Sequence, residues 1–161
     1  MVVSTAAVLV VMQALPSCWA DREDPRKPEQ LQNLAAAIAQ ASPNPLRAAF
    51  LVAIGYHESR FCLRVHSGVD TGPGRGIWQL EGQSKRYQGP FVGLTPEETG
   101  NAAWVASQII GRSAQCGSRP ADVFTAFAGR ACGTVWPTLA DRVRTFWFVS
   151  ARLHRAMTVT S

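Results

Sequence analysis

Ala53-Ile54-Gly55-Tyr56-His57-Glu58-Ser59-Arg60-Phe61 closes a run of apolar residues at helical spacing, and the reading of the chain turns on it. Leu46, Phe50, Ala53 and Ile54 form the stripe of a helix over Pro45 to Arg60 that is buried nearly all round at its middle. Glu58 follows Ile54 by four residues and so falls on the apolar face. Burial disfavours an ionised carboxylate and raises its pKa. A carboxyl that is still protonated near neutral pH can protonate the leaving oxygen of a glycosidic bond. The structural alternative is a glutamate near a helix C-terminus, paired with Arg60 or Arg64, and spacing alone leaves both open. His57 points about 100° away around the helix and is not read as a base.

Working outward, the rest of the chain reads as mainly α. Pro28 to Ala41 carries Leu31, Leu34, Ala35 and Ile38 on one face, with Pro28 suited to a first turn, and Pro43-Asn44-Pro45 breaks it. Residues 63–94 hold Gly68, Gly72, Gly74, Gly76, Gly82, Gly89 and Gly93, which implies loops or a small β element. Thr95-Pro96-Glu97-Glu98 starts a helix with a capping box that runs to about Gly111. Pro120 opens a shorter helix ended by Gly129, and Thr138 to about Ala156 forms the last.

The second informative block is Gly72-Pro73-Gly74-Arg75-Gly76-Ile77-Trp78-Gln79-Leu80, and the third is Ala126-Phe127-Ala128-Gly129. Glu-Ser-x-Phe, then Gly-Ile-x-Gln-Leu about twenty residues on, then the third block, resembles the lytic transglycosylases and the related goose-type lysozymes in order and spacing. The resemblance covers roughly residues 43–135. It implies an α+β lysozyme-like fold, with the glycine-rich loop flanking an active-site groove, and cleavage of the MurNAc–GlcNAc β-1,4 bond of peptidoglycan. Glu58 then matches the catalytic acid/base. Ser59 matches the serine that shapes the site, and Gly76 and Gln79 match the segment lining the sugar groove. Phe127 stands where the family has a Tyr whose hydroxyl contacts the catalytic Glu, and Ala128 stands for its Asn. Another group must therefore orient Glu58, with Tyr56, Tyr87 or a water as candidates.

Most glycosidases use two carboxylates. Asp70 and Glu81 are the candidates for a second, and Asp70 also reads as an ordinary turn residue in Val69-Asp70-Thr71-Gly72. Without a second, the resemblance implies the transglycosylase route, which closes a 1,6-anhydro ring on the muramyl sugar. With Asp70 positioning water, it implies a lysozyme-type hydrolase. Trp78, Tyr87 and Phe91 lie near the proposed groove and suit sugar stacking, and His66 is a candidate groove residue. Trp104, Phe124, Trp136, Phe146 and Trp147 sit at helical spacing and read as core. Phe127 and Ala128 also leave room for a non-catalytic wall-binding protein of the same fold.

The 161 residues suit one catalytic domain over 21–161, preceded at 1–20 by a signal peptide or anchor. Val2 to Leu15 is mostly apolar, too short for a comfortable membrane span, and is followed by a charged, proline-containing stretch. Export to the periplasm or the cell exterior follows from that reading, with cleavage after Ala20 or lipidation of Cys18 as alternatives. Removing Cys18 leaves Cys62, Cys116 and Cys132, so one disulfide with one free thiol is the simplest count, and Cys62–Cys132 is the preferred pair. A helix between Cys116 and Cys132 is expected to hold those two apart. The cysteines and histidines form no zinc-type cluster, so no metal or cofactor is expected. The net charge of +5 favours anionic partners. The stretch Arg142, Arg144, Arg152 and Arg155 is broken by Phe146, Trp147 and Phe148, which reads as a core helix with a solvated basic face rather than a nucleic-acid stripe. The expected partner is the glycan strand of peptidoglycan, met by a monomer.

Overall fold

A computed structural model describes residues 2–16, 18–66, 76–80 and 96–159, with the backbone alone for 96–98 and Val159. Seven α-helices form among them: α1 (Thr5–Gln13), α2 (Lys27–Ala41), α3 (Pro45–Ser59), α4 (Leu63–His66), α5 (Pro96–Cys116), α6 (Pro120–Phe127) and α7 (Leu139–Val159). The mainly α expectation holds. No strand is present among the described residues, and Gly68, Gly72, Gly74, Gly82, Gly89 and Gly93 lie outside them.

Helix α3 is the centre of the molecule. Asn44 caps it by accepting the Arg47 N–H, and Pro45 sits in its first turn. Every residue from Ala48 to Tyr56 is buried, so the helix is apolar on all sides and must be surrounded. It packs against α2, α5 and α7. Phe50 anchors it, with its ring 4.2 Å from Phe146 of α7 and 5.5 Å from Phe124 of α6.

Residues 1–20, read as a targeting segment, also supply part of this core. Ser4 caps α1, and Val8, Val11 and Met12 are buried where α1 packs on α2 and α7. No helix among the described residues is long and apolar enough to cross a membrane. A buried network follows α1. Lys27 contacts the Asp21 carboxylate at 3.0 Å and donates to the Phe61 carbonyl, and Asp21 also accepts the Leu63 N–H at 2.7 Å. The start of α2 is thereby tied to the corner that follows α3.

The cysteine expectation is corrected. The disulfides are Cys18–Cys62 and Cys116–Cys132, each with a Cα–Cα distance of 5.3 Å, and neither Cys62–Cys132 nor a free thiol is found. A helix was expected to separate Cys116 from Cys132, but α6 occupies only eight residues of that interval. The chain then doubles back through Gly129 and Gly133, whose φ angles of 69° and 81° suit glycine. Cys18, bonded to Cys62, has no free sulfur to carry a lipid. Replacing Cys116 and Cys132 by Ser is expected to cost about 3 kcal/mol, as for a closed loop of roughly fifteen residues. At roughly 2–4 °C per kcal/mol for a chain of this size, thermal unfolding should show a midpoint lowered by about 6–12 °C.

Candidate functional site

Glu58 stands in the last turn of α3, and local chemistry stops the helix one residue later. Arg60 and Phe61 both adopt left-handed backbone with φ of 54°, an unfavourable conformation for residues other than glycine. The Ser59 hydroxyl supports that turn, donating to the Gly55 carbonyl at 2.9 Å and accepting the Phe61 N–H at 3.2 Å. Ser59 is buried and does not line the cleft, so its work is done on the helix end.

Ile77 and Trp78 of the second block pack against α3 at Gly55. Trp78 is 2% exposed and donates its indole N–H to the Leu51 carbonyl at 3.0 Å. Gly55 permits this approach, because a Cβ there would lie 3.3 Å from the indole nitrogen and 3.2 Å from the Phe61 ring. Trp78 therefore braces α3 within the two turns before Glu58, and although mainly buried it also lines the cleft in which Glu58 lies. Gly76 is buried with φ of 68° and opens the turn that carries Gln79. The Gln79 side chain donates to the Gly76 carbonyl at 2.7 Å, and Gln79 reaches the cleft while Gly76 does not.

That cleft has a volume of about 550 Å3. Glu58 lies in it together with Phe127 and Ala128, so the cleft brings the first and third blocks together. Trp104 and Trp136, read as core, line it instead, and Trp104 is 37% exposed. Trp147, also read as core, is 55% exposed on α7, while Phe124 and Phe146 are buried as expected. His66 is buried against Gln30 at 2.8 Å, away from the cleft. Asp70, Glu81, Tyr87 and Phe91 lie outside the described residues.

Glu58 is not sealed in an apolar pocket. Its side chain is 27% exposed and its Oε1 accepts a hydrogen bond from Arg142 Nη1 at 2.6 Å. The partner is neither Arg60 nor Arg64. Arg60 instead donates to the Tyr56 hydroxyl and lies 4.4 Å over the Tyr56 ring, and no hydrogen bond between Tyr56 and Glu58 is found among the described residues. Arg142 takes that place. It was read as part of a solvated face, yet its side chain is only 14% exposed and lies 5.0 Å from the Trp136 ring. A signal was present: Arg142 comes three residues after Leu139 and four before Phe146, both buried, which puts a charge on the inward face of α7.

His57 faces the other way. Thr145 gives its proton to the Asp141 carbonyl at 3.0 Å, so the His57 Nε2–H donates to the Thr145 oxygen at 2.9 Å. Burial, reinforced by the Arg142 and Arg60 charges, pushes the His57 pKa down to about 4. A histidine in the unfolded chain titrates near its ordinary value of about 6.5. Between those values the unfolded chain binds the extra proton, so stability falls as pH drops from about 6.5 towards 4. A His57→Gln variant is expected to lose less of its thermal midpoint than the wild type between pH 7 and pH 4. An equal loss in both proteins sinks the assignment.

Comparison of the chain with protein-family models, with curated proteins and with solved structures finds no match.

Proposed function

We propose that this chain cleaves the β-1,4 glycosidic bond between MurNAc and GlcNAc in peptidoglycan, with Glu58 as acid/base. The observation that carries the reading is Glu58 itself: it is the one carboxylate among the described residues lining a large cleft whose walls hold Trp104, Trp136 and Phe127. Aromatic faces suit the apolar faces of sugar rings, and Gln79 and Gln108 supply amides for hydroxyl and N-acetyl groups. The transglycosylase route is the favoured form of this reading, with the second-carboxylate candidates Asp70 and Glu81 outside the described residues. Glu58 protonates the leaving oxygen as the C1–O bond breaks, and the substrate's N-acetyl group stabilises the sugar cation. Glu58 then takes the C6 hydroxyl proton as that oxygen bonds to C1, leaving a 1,6-anhydro end and consuming no water. Arg142 stands in for the family's Tyr hydroxyl by orienting Glu58, and its charge stabilises the carboxylate once the proton has left. Export brings such an enzyme to the cell wall, and the two disulfides agree with an oxidising compartment.

A second reading, a glycan-binding module without activity, draws support from the same ion pair, since Glu58 already has a partner at 2.6 Å. Clearing of a peptidoglycan gel by the wild type against Glu58→Gln separates the two. Mass spectra of the released fragments then report the route. Anhydro ends support the transglycosylase, and reducing ends point to a muramidase with Asp70 holding water.

A further inference from the structure

Three arginines converge on the cleft: Arg112 on α5, Arg130 after α6 and Arg142 on α7. Glu58 is the one acid facing them among the described lining residues, which leaves an excess of two positive charges. Each guanidinium offers five N–H donors in a planar fork. Little of that capacity is used among the described residues. Arg142 gives Nη1 to Glu58, and its Nε is buried without a partner. Arg112 gives Nη1 to Gln115 at 3.2 Å, and its Nε is likewise buried and unpartnered. Buried donors without partners are uncommon because each loses its water and gains nothing in return. Arg130 and Arg142 both lie 5.0 Å from the Trp136 ring, so one indole gathers two like charges at the cleft wall.

A neutral sugar does not need this arrangement. A carboxylate does: it accepts two parallel N–H bonds from one guanidinium and offsets the excess charge. We propose that Arg112, Arg130 and Arg142 form a carboxylate-recognition subsite of the cleft, which takes a carboxylate borne by an N-acetylmuramyl glycan. The glycan in that statement rests on the function proposed above, whereas the carboxylate rests on the arginines. Two sources supply the group: the lactyl ether of a strand without peptides, and the stem peptide of a strand that carries them.

Tryptophan fluorescence reads the binding, because Trp104 and Trp136 line the cleft. The ligands are disaccharides lacking the bond that is cut, namely GlcNAc–MurNAc with its free lactyl carboxylate, the same disaccharide with a stem peptide, the carboxamide form of each and neutral chitobiose, together with the free stem peptide. The carboxylate forms are expected to bind at least about tenfold tighter than their amides and than chitobiose, as charge-assisted hydrogen bonds would give. The advantage should shrink with added NaCl. Arg130→Gln and Arg112→Gln should each remove most of it. The comparison of acid with amide uses the wild-type protein alone, so it stands even where a variant folds poorly. Whichever carboxylate shows the larger advantage identifies the source. Equal binding of acid, amide and chitobiose overturns the subsite and leaves the glycan reading intact. Tight binding of the free stem peptide with none of chitobiose supports the subsite and sinks the glycan reading. Silence with every ligand overturns both.

Discussion

Glu58→Gln is expected to abolish clearing of a peptidoglycan gel, with a rate loss of about 10²–10⁴-fold, the usual contribution of a positioned general acid. The substitution keeps the size of the side chain. Its amide oxygen still accepts the Arg142 hydrogen bond that Glu58 Oε1 accepts at 2.6 Å. What is lost is the acidic proton given to the leaving oxygen and the carboxylate that takes the C6 hydroxyl proton. Because Glu58 is 27% exposed and sits at the end of α3, the fold should be retained. The thermal midpoint should therefore move by only a few degrees, at roughly 2–4 °C per kcal/mol. Unchanged clearing removes Glu58 from the chemistry. Lost clearing together with a collapsed midpoint would make the residue structural instead.

Deleting residues 1–20 is the second change with a large expected effect. It removes Val3, Val8, Val11, Met12 and Leu15 from the core, each with less than a tenth of its surface exposed. It also removes Cys18, the partner of Cys62. The apolar faces of α2 and α7 that receive α1 would then meet water. The disulfide alone is worth about 2–4 kcal/mol, so a midpoint at least about 10 °C lower is expected once the helix contacts are lost too. Cys18→Ser with Cys62→Ser isolates the disulfide, and the remaining difference belongs to α1. A truncated protein as stable as the full chain would show that α1 adds nothing to the fold. Intact mass of the protein recovered from cells reports in parallel whether cleavage after Ala20 takes place.

Much of the fold is legible residue by residue. Helical periodicity and caps act within a few positions, so α2, α3, α6 and α7 fall close to their expected bounds, and α5 runs one turn beyond Gly111. The aromatic residues were harder to place. Trp78 and Trp136 are each flanked by a turn or loop, and nothing local tells which ring turns inward. Trp78 is buried because Gly55 leaves space for it on α3, and Trp136 lines the cleft because the chain after Gly133 brings it there. The disulfides failed for a related reason: Cys116 and Cys132 meet only because the chain reverses after Phe127.

The sequence by itself determined a mainly helical chain whose α3 is apolar all round and carries Glu58 at its end. Spacing along one helix is enough for that, since a helix repeats its faces every few residues. The tertiary structure alone decided what faces Glu58. Arg142 stands 84 positions away on α7, and the pair exists because Phe50 and Phe146 lock those two helices together. A contact between two helices depends on which faces they bury against each other, and neither helix carries that choice within its own residues.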